Sequence, residues 1–566
     1  MKPLEIVEHT CDVAVVGGGL AGCMAAWRAG QLDKSVILVD KSNPERSGCA
    51  ATGVDHIWAY FPEVQAAEGV SLDDMIEDHT QNIARGLVNK PILHYAASTS
   101  LDRILDLEKM GVKVRYEDST LPGKFRIQYQ LHQCRNTLHY DGREVKRHMA
   151  NAVRKVGTKV LERVMATDLL VEDGQIAGVV GYGTRDGKLH VIRAKAVVMT
   201  CGRMNRLYRT PVGLTFTTRM PPTNTGDGKA SMFRAGAELI NMEFSSAPGR
   251  WASKNFVRGG GLPGGSYQPS GIGLNAHGEV IAPRNHEIEG PWQGIFRRGA
   301  SPRNYEGEFR AGRGPIYADM SWGSDEDQEY MKWSIAQEGG GWALNYMLEQ
   351  YGLDYRTTKI ELAPADTEHE GTAACGPIVD DHCMTTVPGL YAAGDEAGGF
   401  PWSCVPGALT MGYLAAESAV DYSKKMRAAP HGRGEAPVAE YIGDIIGRKE
   451  GDPWQEAQTF IENANDFYNV QVRSETMAQR GLEYMDYLKK TMRLKAANPH
   501  EMVHCLEVRN LIECSEIIMR STIERTESRP PILNRVDYPQ RDDEHWFCFL
   551  GQRKVDGKIL FQKHTP

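Results

Sequence analysis

The stretch Cys11–Lys41, CDVAVVGGGLAGCMAAWRAGQLDKSVILVDK, constrains this chain more than any other. An apolar strand from Asp12 to Val16 runs into Gly17, Gly19 and Gly22, and a helix follows to about Leu32. A second strand, Ser35 to Val39, ends on Asp40 and Lys41. The spacing predicts a βαβ unit with a G-x-G-x-x-G turn. Gly17 allows the tight turn, Gly19 lets the backbone approach a pyrophosphate, and Gly22 lets helix and strand pack closely. The helix start at Leu20 and Ala21 offers unpaired N–H groups and a positive dipole end to phosphates. Asp40, 18 residues after Gly22, is placed to accept from a ribose hydroxyl. Strand, helix and acid together separate this unit from a chance Gly-rich turn, and it is read as binding a dinucleotide.

At 566 residues the chain is too long for one core, so two to four domains are expected. Hydrophobic content of 41% and charged content of 24% are ordinary for a soluble globular protein. A net charge of −8 argues against a nucleic-acid binder. No apolar run approaches the roughly 18 residues of a membrane span. The first residues, MKPLEIVEHT, carry neither an apolar signal core nor twin arginines, so a cytoplasmic protein is expected. The 11 cysteines show no C-x-x-C and no ferredoxin-like spacing. They read as reduced thiols, and no iron–sulfur site is expected in the chain itself.

After the βαβ unit, Ser42–His56 is rich in small residues. Ser47, Gly48, Ala50, Ala51 and Gly53 suit a backbone lying against a flat ring, although an ordinary Gly/Ala loop has the same composition. Leu72–Met110 has helical apolar spacing, and Gly123–Lys155 is dense in His and Arg (His132, Arg135, His139, Arg143, Arg147, His148). Val160–Gly202 alternates in short strands around Ala166, joined by the hairpin signals Asp173-Gly174 and Asp186-Gly187. A buried strand, Ala196–Met199, then ends in Thr200-Cys201-Gly202. Gly226-Asp227-Gly228 opens another helix. From about Asn241 to Tyr355 the chain is rich in Gly, Pro, Trp and Arg, which fits an inserted domain with a loop near a ligand. A strand in Val387–Gly399 then reaches Gly394-Asp395, and a helix is expected from Gly407-Ala408-Leu409-Thr410 to about Lys425. Ala429–Pro453 reads as a boundary, Trp454–Arg525 as helical, and the tail as extended with a final hairpin.

In this order the motifs resemble the succinate dehydrogenase/fumarate reductase flavoprotein superfamily. GGGLAG, the Ser47-Gly48 turn, TGDG (Thr225–Gly228), GLYAAGD and ESRPPILNRVDYPQRDDEHW carry the likeness over nearly the whole length. Within it, RSG (Arg46–Gly48), AGRGPIYADM (Ala311–Met320) and HEGTAACG (His369–Gly376) are most similar to the α subunit of adenylylsulfate (APS) reductase. The resemblance implies an α/β fold. A Rossmann-like FAD-binding domain (1–240 and 356–430) would be interrupted by an α+β capping domain (241–355) and followed by a C-terminal helical domain and tail (431–566). It implies an FAD-dependent oxidoreductase, with Asp395 on the ribityl hydroxyls, the Ala408–Leu409 helix aimed at the flavin ring, and Thr200–Gly202 and Asp227 beside the cofactor. Electrons would leave through a ferredoxin-like iron–sulfur subunit.

The departures matter as much. Succinate dehydrogenases carry a histidine that bonds the flavin where this chain has Gly48, so FAD is expected to be non-covalent. The superfamily's substrate histidine is replaced in MEFSSAP (Met242–Pro248), and an arginine that clamps dicarboxylates is missing around Trp402–Leu409. Succinate and fumarate are therefore not the expected substrates. In the APS reductase branch, a flavin-side asparagine falls at Trp58 and an active-site histidine at Trp402. Two tryptophans make the pocket more apolar, suited to another small anionic or aromatic compound.

Five residues are candidates for the chemistry. His369 would move a proton or bind an anion. Arg250 and Arg313 would hold a negative group, since guanidinium forks match carboxylate, sulfite or phosphate. Glu144 corresponds to the branch's active-site glutamate, and Trp402 would wall the pocket. A structural histidine, solvated cap arginines and a core tryptophan are the plainer alternatives. Three functions stay open at this point: a substrate-converting oxidoreductase with an iron–sulfur partner, an electron-transfer protein without its own substrate, and an oxygen-using oxidase. APS reduction proper is one form of the first.

Overall fold

The protein is described from a computed structural model covering residues 4–129, 134–210, 215–216, 218, 220–245, 251–253, 272–282, 308, 311–319, 321, 325, 329, 333, 349–350, 352, 357–364, 374–426, 434–469, 472–529 and 532–566. His369, Arg250 and His132 lie outside these residues.

In chain order, the elements that build the site begin with β1 (Ile6–Val16), α1 (Leu20–Gln31) and β2 (Val36–Asp40). After β3 (His56–Trp58) comes α2 (Lys90–Lys109), then β4 (Arg126–Tyr129) and β5 (Arg135–His139). Next are α3 (Val145–Lys155), β6 (Lys159–Glu162), β7 (Val164–Glu172), β8 (Gln175–Gly183) and β9 (Leu189–Met199). α4 (Asp227–Arg234) and β10 (Leu239–Ile240) lead to the insertion. Beyond it lie β11 (Leu390–Ala392), α5 (Cys404–Lys425), α6 (Trp454–Tyr468), α7 (Glu475–Thr491), α8 (Pro499–Glu524), β12 (Phe549–Val555) and β13 (Lys558–His564).

The central sheet runs β6-β2-β1-β9, all parallel, with β11 parallel to the end of β9. Every residue of β2 is buried, as a parallel strand covered on both faces requires. The first half of β9 instead pairs antiparallel with β8, and β8 with β7. The two Asp-Gly hairpins thus form an excursion that returns the chain to the sheet beside β1. β1 starts earlier than its apolar run suggests. Its half-exposed first residues, Ile6–Thr10, pair with Leu189–Arg193 of β9, while Cys11 and Val13–Val16 enter the core.

Two helices cover one edge of the loop after β1. α5 packs on α1 so closely that a Cβ on Gly412 would overlap Ala21 O. The stretch Leu72–Met110 resolves into Leu72–Asp78, a π-turn at His79–Ile83, and α2. Among the described residues, Trp251–Ser253, Ile316–Asp319, Ile272–Leu274 and Val280–Ala282 of the expected capping segment (241–355) share one antiparallel sheet with Ile360–Pro364, which lies in the segment expected to belong to the FAD-binding domain (356–430). The stretch expected to be a boundary contains a helix, Ala436–Ile446. Pro437 falls in its first turn, where a missing N–H costs nothing. α6 and α7 pack on α8, which is buried along most of its length, and the β12–β13 hairpin pairs with β10. No described helix is long and apolar enough to cross a membrane.

Candidate functional site

The loop after β1 is shaped by three glycines in three ways. Gly17 has φ +98°, and a Cβ there would press on the Thr200 carbonyl. A Cβ on Gly22 would overlap the Gly17 carbonyl oxygen and crowd Thr200 Oγ1. Gly19, with φ −67°, faces open space, the nearest atom to such a Cβ being Gly48 Cα at 4.0 Å. Thr200 fastens the loop from the end of β9, its N–H donating to Val16 O (2.8 Å) and its single O–H proton lying between Val16 O (2.8 Å) and Gly17 O (2.7 Å). A stiff turn with one open face and free helical N–H groups is a diphosphate seat.

Asp40 braces this loop. Its Oδ2 accepts from Gly18 N (2.5 Å) and Ser47 Oγ (2.8 Å), and its Oδ1 accepts from Ser42 N (2.7 Å). Lys41, expected at the cofactor, is turned elsewhere. Its ammonium meets Asp227 Oδ2 (2.8 Å), Glu507 Oε1 (2.6 Å), Thr225 Oγ1 (3.1 Å) and Thr223 O (3.0 Å). Four acceptors exhaust its three protons, so Lys41 serves as a strut between β2 and α8. Burial pulls its pKa down, but Asp227 and Glu507 outweigh burial and hold it above the usual lysine range. Asp227 is likewise committed, accepting from Lys41, Thr225 and Asn510.

On the other side of the seat, Gly394, Ala21 and Ala408 converge. A Cβ on Gly394 would lie 3.1 Å from Ala21 Cβ and 3.5 Å from Ala408 Cβ. Beside them, Lys229 is fully buried and donates to Gly202 O (2.6 Å) and Asp395 O (3.1 Å). Arg203 Nε donates to Asp395 Oδ2 at 2.8 Å, which leaves Asp395 Oδ1 buried with no protein partner. Ser403 Oγ, also buried and without a partner, stands at the N-terminus of α5. α5 begins three residues before the expected Gly407, so Ala408 and Leu409 lie in its second turn. Two orphaned polar atoms beside a helix start fit the hydroxyls and ring edge of a flavin nucleotide. Gly48 and Ala51 share the turn facing Gly19, and Gly53 packs on Gly142 and Arg143. Ala166 lies in β7, opposite Gly181. Burial holds the Cys201 thiol and the Glu396 carboxyl above their usual pKa ranges.

The Trp58 indole reaches the main chain of Trp402. Trp58 Nε1 donates to Trp402 O at 3.2 Å. Trp402 (φ +57°) and Cys404 (φ +48°) both hold left-handed backbone, strain of the sort found where a turn must present specific groups. Phe400 and His79 complete the wall, with ring centroids 6.4 Å and 5.6 Å from Trp58. His79 Nε2 lies 2.8 Å from Pro401 O, and burial lowers its pKa to about 4. The ring is neutral at pH 7, and its N–H donates to that carbonyl. The unfolded histidine titrates near 6.5, so below that pH the unfolded chain takes up the proton first and His79 costs stability. We expect His79→Phe, compared with wild type, to gain about 2 kcal/mol as pH falls from 6.5 to 5 in urea unfolding. The wild-type curve alone is a poor reporter. Burial raises Glu462 to about 7 and Asp466 to about 6, and these act with the opposite sign.

The remaining catalytic candidates sit in ion pairs. Glu144 is half-exposed and bonds Arg46 at 2.9 Å. Arg313 grips Glu308 with two N–H groups, at 2.6 and 2.8 Å, so its fork is already filled. Lys146, Lys229, Arg203, Ser403 and His79 were not singled out in the sequence. Lys229 follows TGDG directly. Lys146 follows Val145 and sits one turn before Met149 and Ala150, on the apolar side of α3.

Fold and site together define a flavin-nucleotide protein, with a parallel dinucleotide-binding sheet, a diphosphate seat and a small-residue turn for a ring. The FAD binding domain family matches residues 12–290, and the fumarate reductase flavoprotein C-terminal family matches 470–556. The chain belongs to the succinate dehydrogenase/fumarate reductase flavoprotein superfamily of FAD-dependent oxidoreductases. It is 24% identical to a fumarate reductase (CoM/CoB) subunit of Methanothermobacter marburgensis, over 98% of this chain and 100% of that one. It is 24% identical to the alpha subunit of adenylylsulfate reductase of Megalodesulfovibrio gigas, over 97% and 94%. The fold matches adenylylsulfate reductase from Archaeoglobus fulgidus with a TM-score of 0.86, over 100% and 97% of the two chains at 24% identity.

Proposed function

We propose that this protein oxidises or reduces a small anionic or aromatic compound by two electrons at non-covalently held FAD, and exchanges those electrons with an iron–sulfur partner subunit. The observation that carries the reading is the aromatic cluster of Trp58, His79 and Phe400, bonded through the Trp58 indole to the Trp402 backbone just before the helix aimed at the flavin site. A flat or hydrocarbon-bearing substrate suits such a wall, and a doubly charged dicarboxylate does not. Gly48 offers no side chain for a covalent link to FAD. FAD, when bound, supplies the electron-pair exchange. Asp395 Oδ1 and Ser403 Oγ would hold its hydroxyls and ring edge, and the α5 N-terminus would favour negative charge there. Arg250 and His369 remain the candidates for substrate anion and proton. Three similar proteins are named as subunits of larger enzymes, which supports a partner for electron transfer. Eleven cysteines with no disulfide between them accord with a cytoplasmic setting.

The test is anaerobic bleaching of the bound flavin's yellow absorbance by sulfite plus AMP, by succinate, and by a panel of aromatic and small anionic acids. Bleaching by one of the panel and not by succinate is the expected result. Bleaching by sulfite plus AMP would instead select the APS reductase reading. Silence across all three would favour an electron-transfer protein without a substrate.

A further inference from the structure

The structure assigns Lys146 as a buried counter-charge for the FAD diphosphate. Lys146 lies in the first turn of α3, and its side chain is completely excluded from solvent. Its Nζ donates to Gly18 O (2.5 Å) and lies 3.1 Å from Cys23 Sγ. Neither partner is a carboxylate, and none of the described residues forms an ion pair with it within 4.0 Å. Every other fully buried lysine or arginine of the site has an acid in range. Lys229 lies 3.7 Å from Glu396, and Arg206 lies 2.7 Å from Glu507.

A buried cation without an anion is costly, and here two further positive poles add to it. Lys146 sits at the N-terminus of its own helix, and Gly18 sits at the N-terminus of α1. Asp40 braces the same loop through Gly18 N, Ser42 N and Ser47 Oγ and makes no ion pair with Lys146 within 4.0 Å. Three positive sources therefore converge on a loop whose open face, at Gly19, receives a group carrying two negative charges. The diphosphate supplies the missing anion, and Lys146 holds Gly18 O so that the following N–H groups face outward.

This inference rests on FAD lying in that loop, and the test separates the two. FAD and ADP are titrated into full-length apoprotein, with adenosine, which lacks the diphosphate, as control. Wild-type protein that binds neither FAD nor ADP would remove the loop reading itself. Given wild-type binding, Lys146→Met and Lys146→Gln are both expected to weaken FAD and ADP roughly 10- to 100-fold, with adenosine unchanged. The apoprotein of each variant should melt at or above the wild-type temperature, because an uncompensated charge has been removed, while the FAD complex melts lower. Unchanged ADP affinity in both variants would overturn the assignment. So would wild-type affinity in Lys146→Gln, which keeps the hydrogen bond but not the charge. A fall in apoprotein melting temperature equal to that of the complex would make Lys146 a purely structural residue.

Discussion

Gly22→Ala is expected to give a colourless protein. The new methyl would overlap Gly17 O and crowd Thr200 Oγ1, and neither can step aside. Gly17 is fixed by its bond to Val39 O (2.8 Å), and Thr200 by its bonds to Val16 O and Gly17 O. The turn must open. That costs about 1–3 kcal/mol of stability from overpacking alone and misaims the N–H groups of Leu20 and Ala21. FAD affinity should fall at least ~100-fold, about 2.7 kcal/mol. Gly19→Ala is the informative companion. Its φ of −67° accepts alanine, and the methyl enters open space. It should leave the melting temperature of the apoprotein unchanged and still block FAD, because the methyl occupies the diphosphate's approach. The measurements are flavin content after purification and apoprotein melting. A fully yellow Gly22→Ala protein of normal stability would refute the account of the loop.

Glu507→Gln should cost about 3–5 kcal/mol, although the residue lies on a C-terminal helix outside the nucleotide fold. Glu507 is buried and takes Lys41 Nζ (2.6 Å), Arg206 Nη1 (2.7 Å) and His504 Nδ1 (2.7 Å). Burial alone would raise its pKa, but Lys41 and Arg206 hold it well below the usual carboxylate range. The amide has nearly the same shape, so the loss is of the charge and of one acceptor, its NH2 facing donors on whichever side it takes. Arg206 is left without an acid and Lys41 with Asp227 alone. A depressed pKa contributes stability above the unfolded value near 4.5, and that stability is lost as pH falls below it. The penalty of Glu507→Gln should therefore be full at pH 7 and shrink in strong acid. Equal denaturation midpoints for variant and wild type at pH 7 would show that the network carries no net stability.

The βαβ unit was legible because three signals coincide in 31 residues: an apolar run, glycines at fixed spacing and an acid at the strand end. Each is local, so no tertiary context was needed. The hairpins of β7, β8 and β9 were legible for the same reason, since Asp-Gly sets the turn by itself. Charged side chains were not. Lys41, Glu144 and Arg313 looked available, yet Lys41 is engaged by the distant Asp227, Glu144 by the distant Arg46, and Arg313 by Glu308 five residues earlier. Lys146 escaped because a lysine in a basic stretch reads as surface, whereas its neighbours Val145, Met149 and Val153 carry it into the core. The early start of α5 was hidden by Pro406, which looks like an interruption and in fact falls in the first turn. The helix Ala436–Ile446 was masked by the Gly/Pro content around it.

The two-residue strand β10 is the last described element before the insertion. It is held between Gly376–Pro377 on one side and Gly551–Gln552 on the other. Both sets of hydrogen bonds come from residues made long after it, the second set more than three hundred positions later. While the chain is being synthesised, β10 therefore lacks its second partner until Gly551 and Gln552 have been made. A newly made polypeptide would pass through a long period in which proteases can reach that strand, and chaperone capacity during translation should limit how much mature protein accumulates.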